Sequence, residues 1–469
     1  MSSFALLVIL IGVALVGASK SHVIRGASTN TSGDRFSGKP TCGLANDLKV
    51  RIPTDWNSLV PPPEGGTYVD PVFGCQVTRI TDTQKDGVGW NGKHLAFMNY
   101  YSTLTAVDAT DTMVMIAASD GSWRIKSIKG SMVVPSSKMP QMNDGHPVWD
   151  AANGNRFYFA IGNKLDAGTV TDQAASVMVL HTFNEYQGIA SPDAADLSQD
   201  GDHIALVGQN TDGTIDVFSW SLNKRIKTST YHSQCKINQW GVTETPQPAC
   251  LHKLQFSPDN NLLLEFATDG IEPEQGLRLW LDGRLVHLQD HTNHIDTGDD
   301  AQDNAVFLEL GRSSTLEGET NPCPSRWGLD VRMINQLSET RCLLDKQPPL
   351  HVSYRGSKFQ PWAAISFFDD RSNGPEFTSN DARYTAPNPK NWQLYEDEIM
   401  LANISGDSVY RLAHARSRSA EGYWNQPHAA ISRDGKYVVF TSDMAHPNGC
   451  PTSMQVSNNC TDVYAIKVF

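Results

Sequence analysis

The chain lacks most of what would place it among common functional classes. Apolar periodicity of 3.6 residues is hard to find along its 469 residues, which excludes a helical bundle. None of the eight cysteines forms a Cys-x-x-Cys, which weighs against a thiolate zinc site or a dithiol redox motif. There is no long basic run, and 38 Lys and Arg against 51 Asp and Glu leave a net charge of −13. Nucleic acid and anionic membrane surfaces are therefore poor partners. G-x-S-x-G and Walker sequences are absent, so neither a nucleophile elbow nor a phosphate loop is at hand. One apolar run stands out, Phe4 to Val16, and it is too short to span a bilayer comfortably. It ends in Val16-Gly17-Ala18, as a cleavable leader does, although no Lys or Arg precedes it. Residues 1–18 are expected to be a signal peptide, and the mature protein to be secreted or periplasmic, with no membrane association after signal removal.

What is present describes a globular, turn-rich chain. Hydrophobic residues make up 39% and charged residues 19%, enough to bury a large core. Thirty-six glycines and 25 prolines call for many turns. The cysteines fall into sequence-local pairs, Cys42/Cys75, Cys235/Cys250, Cys323/Cys342 and Cys450/Cys460. An even count in an exported chain predicts disulfides, each clipping a loop. Three Asn-x-Ser/Thr sequons occur, at Asn30, Asn403 and Asn459. Residues 19–68 are rich in Ser, Gly, Thr and Pro and read as an irregular N-terminal segment.

From about residue 69 a unit recurs: a turn pair followed by an alternating strand. It appears at Asp111-Thr112, Asn153-Gly154, Asp200-Gly201, Asp259-Asn260, Asp303-Asn304 and Asp434-Gly435. A weaker copy near Asp369-Asp370, after PWAAISFF, makes seven. Spacings of roughly 40 to 65 residues suit four-stranded propeller blades with variable loops. The expected fold is all-β: a seven-bladed β-propeller of four-stranded antiparallel blades over residues 69–469. The early strand from Gln76 is expected to pair with the last blade, closing the ring and removing an exposed edge.

Histidines recur in phase with this unit. His146, His252, His294 and His428 precede their turn pairs by seven, seven, nine and six residues. The first strand of a blade lines the central channel, so these imidazoles are expected near its mouth. Asp193 and Trp362 occupy the slot in other blades. His, Asp and Gln converging there would suit a divalent cation or an anionic sugar. Each histidine, taken alone, is also consistent with a structural role, donating to a turn carbonyl of the adjacent blade. Tyr101 beside His94, and Trp149 and Asn425 near the slot, are the other candidates for sugar contact or acid–base work.

The repeat resembles TolB-type, WD40-like propellers. The final unit, QPHAAISRDGKYVVFTSD, also resembles the last blade of oligogalacturonate lyases, seven-bladed propellers that cleave pectin fragments by β-elimination around manganese. That resemblance implies His294, Gln426 and His428 as metal ligands and His252 as base. The family's last-blade motif has a glutamine followed by His-Pro-His. Here Gln426-Pro427 precedes a single histidine, leaving the set one imidazole short. The implied function is a secreted polysaccharide lyase acting on a uronic-acid-containing glycan. Its catalytic residues are His252, Tyr101 and His146; its substrate contacts are Trp149, Trp362 and Asn425; and its cation is manganese or calcium, with zinc a further candidate. The partner is an acidic polysaccharide or oligosaccharide, and the oligomeric state is left open. The rival readings are a non-catalytic TolB-like propeller binding carbohydrate or protein, and a metal-dependent hydrolase or cofactor enzyme on the same scaffold.

Overall fold

A computed structural model describes residues 38–469, apart from 56–57, 86–94, 143–144, 192–195, 237–249, 268–269, 271, 291–293, 311–322, 325–327, 346–348, 357–359, 368–391, 418–422 and 445–460. The signal-peptide segment, His94, Asp193, Asp369-Asp370, the Cys450/Cys460 pair and the sequons at Asn30 and Asn459 lie outside the described residues. Among the described residues, no helix is long and apolar enough to cross a membrane.

Seven antiparallel sheets succeed one another along the chain. The chain is a seven-bladed β-propeller. The first strands of blades 1 to 7 are Phe97–Met98, Val148–Trp149, Gly188–Ala190, Leu251–Phe256, Ile295–Asp299, Pro349–Ser353 and Ala430–Ile431. Blades 1 to 5 each add three more strands in simple succession. The turn after the first strand explains the recurring sequence signal. In blade 3 the Ser198 and Asp200 side chains meet at 2.6 Å, and Gly201 takes φ +74° while donating to the Ser198 carbonyl. Blade 7 repeats this with Ser432, Asp434 and Gly435. Asp111, Asn260 and Asp303 hold the same left-handed position without glycine, as short polar side chains tolerate.

The ring closes as expected. Gln76–Arg79 pairs with the last strand, Asp462–Lys467, placing Val77 opposite Ile466 and Arg79 opposite Tyr464. Buried Asp462 locks the seam: it accepts from Arg79 at 2.6 Å, Thr81 Oγ1 at 2.7 Å and the Thr83 amide at 2.9 Å. Thr67–Val69 then extends blade 7, and Leu44–Ala45 adds a fifth strand to blade 6. So the segment preceding the repeats covers two blade edges that would otherwise stay open. Three of the local cysteine pairs are disulfides: Cys42–Cys75, Cys235–Cys250 and Cys323–Cys342.

One blade departs from the expected phase. The strand Trp362–Phe367 is the second strand of blade 6, not the first. The first is Pro349–Ser353, which carries His351. The blade lacks an Asp-Gly turn between these strands, so the repeat was read one strand too late. Trp362 therefore loses the channel position and His351 gains it.

Candidate functional site

Three imidazoles from three consecutive blades meet at the start of the first strands. His294 leads into blade 5, His351 lies within the first strand of blade 6, and His428 leads into blade 7. Their ring centroids are 4.5 Å apart for His294 and His351, and 4.1 Å for His351 and His428. Tyr101 reaches the same place from blade 1, its ring 5.3 to 6.1 Å from all three. A bulge delivers it. Met98 pairs with Ala117 and Val107 with Val114, yet far more chain separates the first members than the second. Residues 99–105 therefore loop out of the ladder, which resumes where Ala106 accepts from the Met115 amide, with Tyr100 at φ +75°. Lys253, almost fully buried on blade 4, sets its ammonium 4.9 Å from the Tyr101 centroid and donates to the Ile295 carbonyl. Tyr423, 44% exposed, lies nearly parallel to Tyr101 and 4.6 Å from His428, forming the outer lip.

The imidazoles are held in an unusual state. His428 adopts φ +44°, rare for a bulky residue. It is kept there by Asn99, which donates to its carbonyl at 2.8 Å and is itself held by Thr441. Its Nε2 meets the Tyr423 carbonyl at 3.1 Å, while its buried Nδ1 has no partner. His351 is fully buried, and neither ring nitrogen makes a hydrogen bond among the described residues. Burial, followed by the charges of His428, His294 and Lys253, drives the His351 pKa well below its ordinary value. Burial lowers that of His428 to about 3, against a partial lift from the Tyr423 carbonyl. Both rings are neutral at pH 7, with nitrogen lone pairs available.

The next level of the channel has opposite character. Arg355, four residues beyond His351, grips Asp296 with 2.7 and 2.8 Å bonds and Asp196 with a 3.1 Å bond. Arg433 of blade 7 reaches Asp196 and the carbonyls of Leu197 and Ser198. Asp196 also accepts from Thr105 of blade 1 and the Leu197 amide. Burial works against the Arg355 charge, but Asp296 and Asp196 outweigh it and raise its pKa. This lattice ties blades 1, 3, 5, 6 and 7 together beneath the histidines.

The sequence-derived candidates divide accordingly. Tyr101, His294 and His428 come together. His146 stands one side chain away, its ring 5.4 Å from Tyr100. His252 is exposed at a ladder irregularity between Leu251 and Lys253 and makes no hydrogen bond, ion pair or ring contact among the described residues. Gln426 is half-buried beside His428. Three substrate candidates are sequestered. Trp149 is buried and donates to the Ala106 carbonyl, and Trp362 packs on Tyr410 within blade 6. Asn425 is buried and bound to Asp443. His351, Lys253 and Tyr423 escaped sequence reasoning. The segment His351-Val352-Ser353-Tyr354 is itself a histidine-led strand, and counting strands back from Trp362 would have found it.

Several nitrogen donors converging beside orphaned ring nitrogens fit a divalent cation in donor chemistry. Among the described residues, the trios of His, Cys, Asp or Glu whose ligand atoms all fall within 4.8 Å are Cys235/Cys250/Glu274 and Cys323/Cys342/Asp345. Both contain disulfide sulfurs, which have no thiolate to offer. The histidine trio is more widely spread than that, so its rings would have to turn inward to share one ion.

No family model matches the chain, and no curated protein does. Solved structures do. An oligogalacturonate lyase from Vibrio parahaemolyticus is similar at 11% identity, covering 91% of this chain and 98% of that one, with a TM-score of 0.50. A second oligogalacturonate lyase, in complex with manganese, has 13% identity, the same coverage and a TM-score of 0.49. TolB from Acinetobacter baumannii covers 68% of this chain and 63% of its own at 11% identity, with a TM-score of 0.30. What is shared at these identities is the propeller fold.

Proposed function

We propose that the histidine chamber binds a divalent cation and that the protein is an extracytoplasmic polysaccharide lyase acting on a uronic-acid-containing glycan. The observation that carries this reading is His351. A buried imidazole with both nitrogens unsatisfied costs about 1–3 kcal/mol for each polar atom left bare, a cost native proteins rarely keep without use. Two more imidazoles stand within 4.5 Å of it, centroid to centroid. His294, His351 and His428 would hold the cation, with the Gln426 amide as a further donor. Imidazole donors favour manganese or zinc over calcium. When bound, the cation would neutralise the uronate carboxylate and acidify the neighbouring C5 proton.

The chain's own residues would supply the rest. In β-elimination a base takes the C5 proton, the C4–O bond breaks, a C4–C5 double bond forms, and the leaving oxygen takes up a proton. His252, exposed and unengaged, is the base in this reading. Tyr101, whose ring lies among the imidazoles with Lys253 over it, would be the proton donor through its hydroxyl. Tyr423 offers an exposed aromatic face for a sugar ring, a task the buried Trp149 and Trp362 cannot perform. Exposed Tyr423 would serve a non-catalytic carbohydrate-binding propeller equally well, and that is the second reading.

Absorbance of the unsaturated uronate product separates the two. The mature protein is incubated with a panel of acidic polysaccharides and oligosaccharides, with Mn²⁺ and separately with a chelator. A rise that the chelator suppresses is the expected result. A rise indifferent to chelation removes the cation from the reading, and no rise with any substrate leaves the binding propeller.

A further inference from the structure

We infer that Asn403 is an N-glycan acceptor, on the face of the propeller away from the histidine chamber. Asn403-Ile404-Ser405 is the sequon that falls within the described residues. It occupies the turn between the third and fourth strands of blade 6, Glu398–Asn403 and Val409–His414. The turn is closed by the Gly406 amide donating to the Asn403 carbonyl and the Asn403 amide donating to Ser408, with Gly406 at φ +84°. Ser405, Gly406 and Asp407 are exposed.

Within this turn the side-chain amide is polarised in one sense. The Asn403 Oδ1 accepts both from the Ser405 amide at 2.9 Å and from the Ser405 hydroxyl at 2.7 Å. Its Nδ2 makes no hydrogen bond among the described residues. Two donors on the oxygen fix the orientation of the amide, and the nitrogen is left open to a reactant. Both contacts span only two residues, so they need no tertiary structure and are accessible to the chain before the propeller forms. After folding, Asn403 is half-buried and the residues from Ser405 to Asp407 are exposed, so the turn stays at the surface.

Strand register fixes the side. Asn403 pairs with Trp362 at the start of the second strand, whereas His351 pairs with Ser366 near its end. At ~3.3 Å per residue the two levels are ~13 Å apart along the blade. A glycan at Asn403 therefore projects from the end of the propeller that carries the Arg355 lattice and leaves the chamber mouth clear. In the transfer, Nδ2 bonds to the anomeric carbon of an oligosaccharide carried on a lipid pyrophosphate. The carbon–oxygen bond to pyrophosphate breaks, pyrophosphate leaves with the electron pair, and Nδ2 loses one proton.

The test secretes the full chain from a eukaryotic cell and treats it with an amidase that converts glycosylated Asn to Asp in ¹⁸O water. Mass spectrometry of the peptides follows. The expected result is ¹⁸O-labelled Asp at position 403, lost completely in Asn403→Gln and in Ser405→Ala. Should Asn403→Gln fail to be secreted, Ser405→Ala retains the amide and reports alone. Unlabelled Asn403 in secreted wild-type protein, while a co-expressed control glycoprotein is labelled, overturns the inference. Label surviving in Ser405→Ala overturns the part assigned to the serine hydroxyl.

Discussion

Two levels of one channel use charge and polarity in opposite ways. In the lower level two carboxylates meet arginines: Asp196 and Asp296 share Arg355, and Arg433 adds a second cation to Asp196. In the upper level, within a few residues of these groups, three imidazoles crowd together and the His351 nitrogens make no hydrogen bond among the described residues. The lower level pairs its charges within the chain and functions as a staple. The upper level is left with bonding capacity to give to something else. Adjacent residues in one fold thus separate stability from chemistry, and the separation can be attacked from either side.

The largest effect should come from the lower level. Asp196→Ala takes a counter-charge from Arg355 and from half-buried Arg433, and a loss of about 3 kcal/mol is expected in chemical denaturation. Next comes occupancy above: a divalent cation at a hundredfold excess over its Kd should add about 2.7 kcal/mol, read as a rise in Tm that a chelator reverses and His294→Ala abolishes.

Acid should strike the upper level through linkage. His428 has a folded pKa of about 3 against an ordinary 6.5, so between those values the unfolded chain binds the proton and the folded one does not. Stability is therefore complete above 6.5 and falls as pH drops toward 3, by up to about 1.4 kcal/mol per unit. His351, shifted in the same direction, adds to the slope. Denaturation midpoints measured from pH 7 to pH 4 in wild type and in His428→Phe check this, and a flatter slope is expected in the variant. More finely, His351→Leu should raise stability by about 1 kcal/mol while abolishing the cation-induced rise in Tm, because an unsatisfied polar group is replaced by an apolar one. Were it to destabilise instead, the ring would be structural. The smallest effect on stability belongs to exposed His252→Ala, within about 0.5 kcal/mol, with loss of lyase turnover as its signature.

How much of this could be read from the sequence follows from how local each signal is. Blades announce themselves through turns such as Ser432-Arg433-Asp434-Gly435, whose hydrogen bonds run between near neighbours, so the repeat was legible. The ring closure was legible too, since the early strand from Gln76 lies outside the first full repeat unit. His294 and His428 could be found because they keep phase with such turns. His351 was missed because its blade replaces that turn with a longer connection, and the phase slipped by one strand. Lys253 was missed beside His252 because alternation along a strand does not hold through the ladder irregularity between Leu251 and Lys253. Tyr101 could be picked out, but the bulge that aims it depends on contacts with distant blades. Burial of Trp149, Trp362 and Asn425 is likewise a property of packing between sheets, which residue types alone do not encode.

The seam at Asp462 also bears on how the protein is made. Arg79, Thr81 and Thr83 are synthesised well before their shared partner, which follows Arg79 by 383 residues. Until then blade 7 has no outer half and the ring stays open, with Gln76–Arg79 offering an unpaired edge to any neighbouring chain. A closure spanning nearly the whole sequence is slow on entropic grounds. Nascent chains stalled short of Asp462 would be the species most prone to pair with one another.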